Sequence, residues 1–141
     1  MLRHCFLAVA AATLLGCATP QYHLPANAPN ARINIKTAQS TWICNGSLPV
    51  HSLKADAEGY AIIPAGERLL IGTNYFASGY NVNYSCQPRS SFVPEPGQSY
   101  YLDFQIEAER CSALVYKEAP DRPVGLAFEA SLAPGGGCPV Q

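Results

Sequence analysis

The sequence predicts an all-β domain: an antiparallel β-sandwich of roughly 7–9 short strands, with a small closed β-barrel as the alternative. Three observations lead there. From Ala31 onward apolar residues recur at every second position in short runs, and helical periodicity is scarce. The chain has twelve prolines and eleven glycines in 141 residues, and most of those after Ala31 fall between the runs, where they mark turns. Charged side chains make up only 13% of the chain, a composition suited to a turn-rich exported β protein.

The elements follow in order. Ile33 and Ile35 alternate with Asn34 and Lys36; Trp42 and Cys44 share a face, and Asn45-Gly46 is a two-residue hairpin signal. Residues 50–58, with Leu53, Ala55 and Ala57, admit one helical turn. Gly59 to Ile63 reads as a strand stopped by Pro64, Ala65-Gly66 as a turn, and Glu67 to Thr73 as the next strand. Tyr80, Val82, Tyr84 and Cys86 alternate with Asn81, Asn83 and Ser85, the pattern of a half-buried strand with its aromatic side facing the core. A short piece at Ser90 to Val93 lies between prolines. Tyr100, Leu102, Phe104 and Ile106 then oppose Tyr101, Asp103, Gln105 and Glu107; Cys111, Ala113 and Val115 continue the theme, and Leu126 to Ser131 forms the last strand. The resulting division is a signal segment (1–16), a Pro/Asn-rich tether (17–30), the sandwich (31–133) and a Gly/Pro-rich tail (134–141).

The N-terminus carries an address. Arg3 and His4 precede an apolar run from Cys5 to Leu15, and Leu14-Leu15-Gly16-Cys17 ends it with a small residue before a cysteine. A run of eleven residues is too short for a helical span, which needs about 20. The segment resembles the signals of bacterial lipoproteins. That resemblance implies cleavage before Cys17, thioether attachment of diacylglycerol and N-acylation there, so that two or more acyl chains hold the mature chain on a leaflet. Ala18, not aspartate, follows Cys17, and the resemblance therefore implies the outer membrane. An ordinary signal cut near Ala18, with a soluble periplasmic product, is the alternative.

Residues 17–141 amount to 125, enough for one core that buries roughly two-thirds of the unfolded surface. They carry 8 basic and 10 acidic side chains with neither sign clustered, which argues against nucleic acid as a partner. Besides Cys5 and Cys17, four cysteines remain. An even count in an oxidising compartment reads as two disulfides, with three possible connectivities. Cys86 and Cys111 each end a strand pattern within one block, which favours Cys86 with Cys111 and leaves Cys44 with Cys138. No two of the four have the Cys-x-x-Cys spacing of a structural zinc site, so no metal or other cofactor is expected.

The block Ile63-Pro64-Ala65-Gly66, Tyr84-Ser85-Cys86-Gln87-Pro88, Ser91-Phe92-Val93-Pro94, Gly97-Gln98-Ser99-Tyr100 and Cys111 resembles small β-sandwich lipoproteins of proteobacterial envelopes. The resemblance covers residues 58–117 and implies a fold and an address; it carries no catalytic residue.

Chemistry is sparse. The chain has no Gly-x-Ser-x-Gly elbow, and His51 and Ser52, adjacent on a strand, point to opposite faces. Asp56 and Glu58 share a loop but lack the six or more oxygen ligands calcium takes. The feature suited to recognition is aromatic: Tyr75, Phe76, Tyr80 and Tyr84 with Asn74, Asn81 and Asn83 interleaved, of which Tyr75 and Phe76 are the candidate binding residues at a loop. The expectation is a non-enzymatic structural or binding accessory module of the envelope, joined to the membrane through lipid on Cys17, with an envelope protein or cell-wall glycan as partner. A subunit of a secretion or surface assembly, and an inhibitor or glycan-binding module, are the rival expectations; an envelope enzyme ranks last.

Overall fold

A computed structural model describes residues 18–107 and 110–138. The signal segment and Cys17 lie outside the described residues.

Eleven strands form two open sheets, and the described residues contain no helix. They are β1 (Asn30–Asn34), β2 (Ser40–Cys44), β3 (His51–Ser52), β4 (Tyr60–Pro64), β5 (Leu69–Gly79), β6 (Val82–Cys86), β7 (Arg89–Phe92), β8 (Ser99–Glu107), β9 (Arg110–Glu118), β10 (Leu126–Phe128) and β11 (Ala133–Pro134). The first sheet has the order β10-β9-β8-β1-β4, the second β11-β7-β5-β2-β3 with β6 on the outer part of β5. Neither closes on itself, so the molecule is a sandwich and not a barrel. The pairing of β1 with β8 is parallel, which makes the first sheet mixed where an all-antiparallel one was expected. The strand count exceeds 7–9 because the two-residue pairings at β3 and β11 extend the edges of the second sheet; β6 and β7, separated at Gln87-Pro88, lie on the same edge of β5.

The core follows from the two-residue alternation. Ala31 and Ile33, Ala61 and Ile63, Tyr100 and Leu102, and Ala113 and Val115 point inward from the first sheet; Ile43, Leu69, Ile71 and Phe92 meet them from the second. Phe92 and Tyr100 pack edge to face at 5.1 Å. The Tyr100 hydroxyl accepts the Glu95 N–H at 2.9 Å, so a fully buried phenol also fixes the loop before β8.

Several local readings change. Asn45-Gly46 does not make a two-residue hairpin: Asn45 Oδ1 accepts N–H bonds from Ser47 and Leu48, and a longer loop reaches β3. Residues 50–58 hold strand β3, not a helical turn. The tether is shorter than 17–30, since Ser52 N–H donates to Pro20 O and Tyr22 N–H to Ser52 O, while Tyr22 packs on the core. The tail is docked as well: β11 pairs with β7, and Cys138 is bonded to Cys44 of β2. The second disulfide joins Cys86 to Cys111, so both pairs match the favoured connectivity.

Candidate functional site

Two hairpins run past the end of the sandwich and face each other. In β5, Leu69–Gly72 pairs with β7 and Leu70–Asn74 with β2, but from Tyr75 to Gly79 the strand pairs only with β6. In the other sheet β8 pairs with β1 only at Ser99–Tyr101, and β9 with β10 only at Tyr116–Glu118, so their remaining ladder also stands alone. Both extensions continue the alternation of the core strands. Tyr75 and Ala77 share the inward side of Leu69 and Ile71; Phe104 and Ile106 share that of Tyr100 and Leu102.

The root of the β5–β6 arm is held to the outer part of the β8–β9 hairpin, where Cys111 pairs with Ile106. The rings of Tyr75 and Phe104 meet at 5.0 Å, and the Cys86–Cys111 disulfide crosses from β6 to β9 with its Cα atoms 6.4 Å apart. Between them lies a groove of about 520 Å³, apolar along Tyr75, Tyr84 and Ile106, with Arg110 at its rim.

The β5–β6 arm is the exposed member. Tyr80 and Asn81 form its two-residue tip, with Asn81 at φ 60°, in the left-handed region that asparagine tolerates. Tyr80 is 95% exposed, Phe76 63% and Tyr84 60%. The expectation that Tyr80, Val82 and Tyr84 face the core is therefore corrected. Their alternation is real, but the sandwich ends before it reaches them. Tyr75 and Phe76 lie on strand β5, not in a loop: Tyr75 is half-buried against Phe104, and Phe76 points to the outer side.

The edges of this arm differ. On the β5 side, the Gln39 side chain donates to Phe76 O at 3.0 Å and accepts Phe76 N–H at 2.9 Å, filling the position that a next strand would occupy. On the β6 side no strand among the described residues continues the sheet. No charged side chain stands between Arg68 and Arg89, so this edge has none of the lysines that normally blunt exposed edges. That uncharged run was visible in the sequence. The facing members Phe104 and Ile106 and the Gln39 cap were not, because nothing in the chain announces which hairpins outrun their neighbours.

The other candidate residues have local roles. The His51 ring nitrogen Nδ1 lies 2.8 Å from Pro49 O, and its ring packs edge-on to Tyr22. Asp56 Oδ1 accepts the N–H groups of Glu58 and Tyr60, closing the turn into β4. Among the described residues no three His, Cys, Asp or Glu side chains are grouped to hold a metal ion. Comparison of the chain with protein-family models, curated proteins and solved structures finds no match.

Proposed function

We propose that this chain is a lipid-anchored, non-enzymatic accessory module of the bacterial envelope, tethered through Cys17, that binds an envelope protein by strand addition at β6. The observation that carries the reading is the uncharged outer edge of β6, which exposes Tyr84 and the tip residue Tyr80 on a hairpin free of the sandwich. An added strand would gain main-chain hydrogen bonds along β6, while the groove beside Tyr84 and Ile106 would take its alternate side chains. The disulfide at the base limits the arm's motion and so lowers the ordering cost of binding. The anchor rests on the Leu14-Leu15-Gly16-Cys17 pattern.

The test places a photoreactive amino acid at Asn83 or Ser85 on the arm and at Phe128 on the far edge of the other sheet, in cells expressing the full chain. The expected result is one dominant protein adduct from the arm positions alone, lost when Val82→Lys and Tyr84→Lys are combined. Equal adduct from Phe128, or none from the arm, overturns the reading. Cys17→Ala is expected to move the protein to the soluble fraction; retention on membranes would refute the lipid anchor.

A further inference from the structure

The outward face of the first sheet carries a row of aromatic side chains that none of the foregoing uses. Strand register places Phe128 opposite Tyr116, Tyr116 opposite Tyr101, Tyr101 opposite Asn34, and Asn34 opposite Tyr60. One residue from each of the five strands thus lies on a single line across the sheet. Their chain neighbours Val115, Tyr100, Ile33 and Ala61 are buried in the core, so alternation turns Tyr116, Tyr101, Asn34 and Tyr60 to the opposite side. At 4.7–4.9 Å per strand the row is about 19 Å long. Phe128 is 72% exposed and its ring meets that of Tyr116 at 5.0 Å.

Polar groups sit beside the rings, already oriented. Arg32 donates from Nε to Ser99 Oγ at 2.7 Å and lies 4.4 Å over the centre of the Tyr60 ring. The Tyr60 hydroxyl donates to Glu118 Oε1. The remaining guanidinium N–H groups, the second Glu118 oxygen, the Asn34 amide and the tyrosine hydroxyls provide both donors and acceptors. Arg32 and Glu118 stand beside the rings, and Asp103 and Glu107 follow Tyr101 on the outward side of β8, so this face carries no excess of cations.

We infer that this row is a binding platform for an uncharged polysaccharide chain. Sugar rings present C–H faces that stack on aromatic rings, and rim hydroxyls that need both donors and acceptors; a straight row one sheet wide suits an extended chain of such rings better than a compact ligand. The absence of a cationic excess selects against polyanions: a nucleic acid or an anionic lipid surface requires an excess of Lys and Arg. This site is separate from the β6 edge, so either can fail without the other.

The test uses affinity electrophoresis and calorimetry of the mature chain with a soluble β-glucan, a dextran and a galactomannan, together with co-sedimentation on purified peptidoglycan sacculi to separate a cell-wall source from a neutral exopolysaccharide. Binding to at least one of these is expected, weakened at least tenfold by Phe128→Ala or Tyr116→Ala and unchanged by Phe76→Ala on the arm. Phe128 is exposed enough for its removal to spare the fold, which unchanged melting would verify. Absence of binding to all four, or binding indifferent to Phe128→Ala and Tyr116→Ala, overturns the inference.

Discussion

Trp42 lies across Gly72, its cross-strand partner on β5, on the outward face of the second sheet. A Cβ added at Gly72 would stand 2.6 Å from Cε2 and 2.8 Å from Cη2 of the indole, and closer still to Cζ2. Carbon atoms prefer about 3.5–4.0 Å, so the ring must move by about 1 Å or leave its place. Overpacking of this kind costs about 1–3 kcal/mol, and the loss of glycine's freedom in the unfolded chain returns about 0.4–1 kcal/mol. Gly72→Ala should therefore destabilise by about 1–2 kcal/mol, a fall of several degrees in Tm for a domain of this size. Trp42 is the single tryptophan, so its emission reports on the displaced ring directly while urea denaturation measures the energy. In a Trp42→Leu background the cost of Gly72→Ala should vanish or turn into a small gain. An equally stable Gly72→Ala protein with unchanged emission would refute the argument.

Further outcomes follow from the same contacts. Removing the Cys44–Cys138 pair as a double alanine variant should cost more than removing Cys86–Cys111: separations of 94 and 25 residues correspond to about 4.7 and about 3.5 kcal/mol in the chain-entropy treatment. Equal losses, or the reverse order in thermal melts, would contradict it. Thr73 and its cross-strand partner Thr41 are buried with hydroxyls that find no hydrogen-bond partner. Thr73→Val should stabilise by about 1 kcal/mol in urea titrations, and a loss would reveal a bound water in that place. At high pH the protein should weaken. A hydrogen bond to Glu118 and then burial raise the Tyr60 phenol above 10.0, burial raises Tyr100, and the bond to Glu95 raises Lys117 above 10.5. The folded chain holds these protons where the unfolded chain has begun to release them. This stability is present below the unfolded values and is lost as pH rises through the folded ones. Denaturation followed above pH 10 should show this decline, shallower in Tyr60→Phe.

Much of the fold is legible in the order of residues because a strand's two faces are written at consecutive positions. Ile33 with Asn34, Leu102 with Tyr101 and Val115 with Tyr116 each declare a buried and an outward side, and the prolines and glycines mark where each run must stop. The oxidising address implied by the lipoprotein-like signal made the four remaining cysteines readable as two bonds, and their place at strand ends indicated which. Local alternation cannot state how far a sheet extends. Tyr80, Val82 and Tyr84 carry the same period as Tyr100 and Leu102, yet one set meets an opposing sheet and the other meets solvent. Burial depends on what another part of the chain brings to that depth, and a period of two says nothing about it. The same limit applies across strands. Which residue of β1 stands beside Tyr101 is decided by a parallel pairing between segments 67 residues apart. From the amino-acid sequence come the strands, their faces, the staples and the expected anchor; the protruding arm and the line from Phe128 to Tyr60 exist only once register and sheet packing have brought distant strands together.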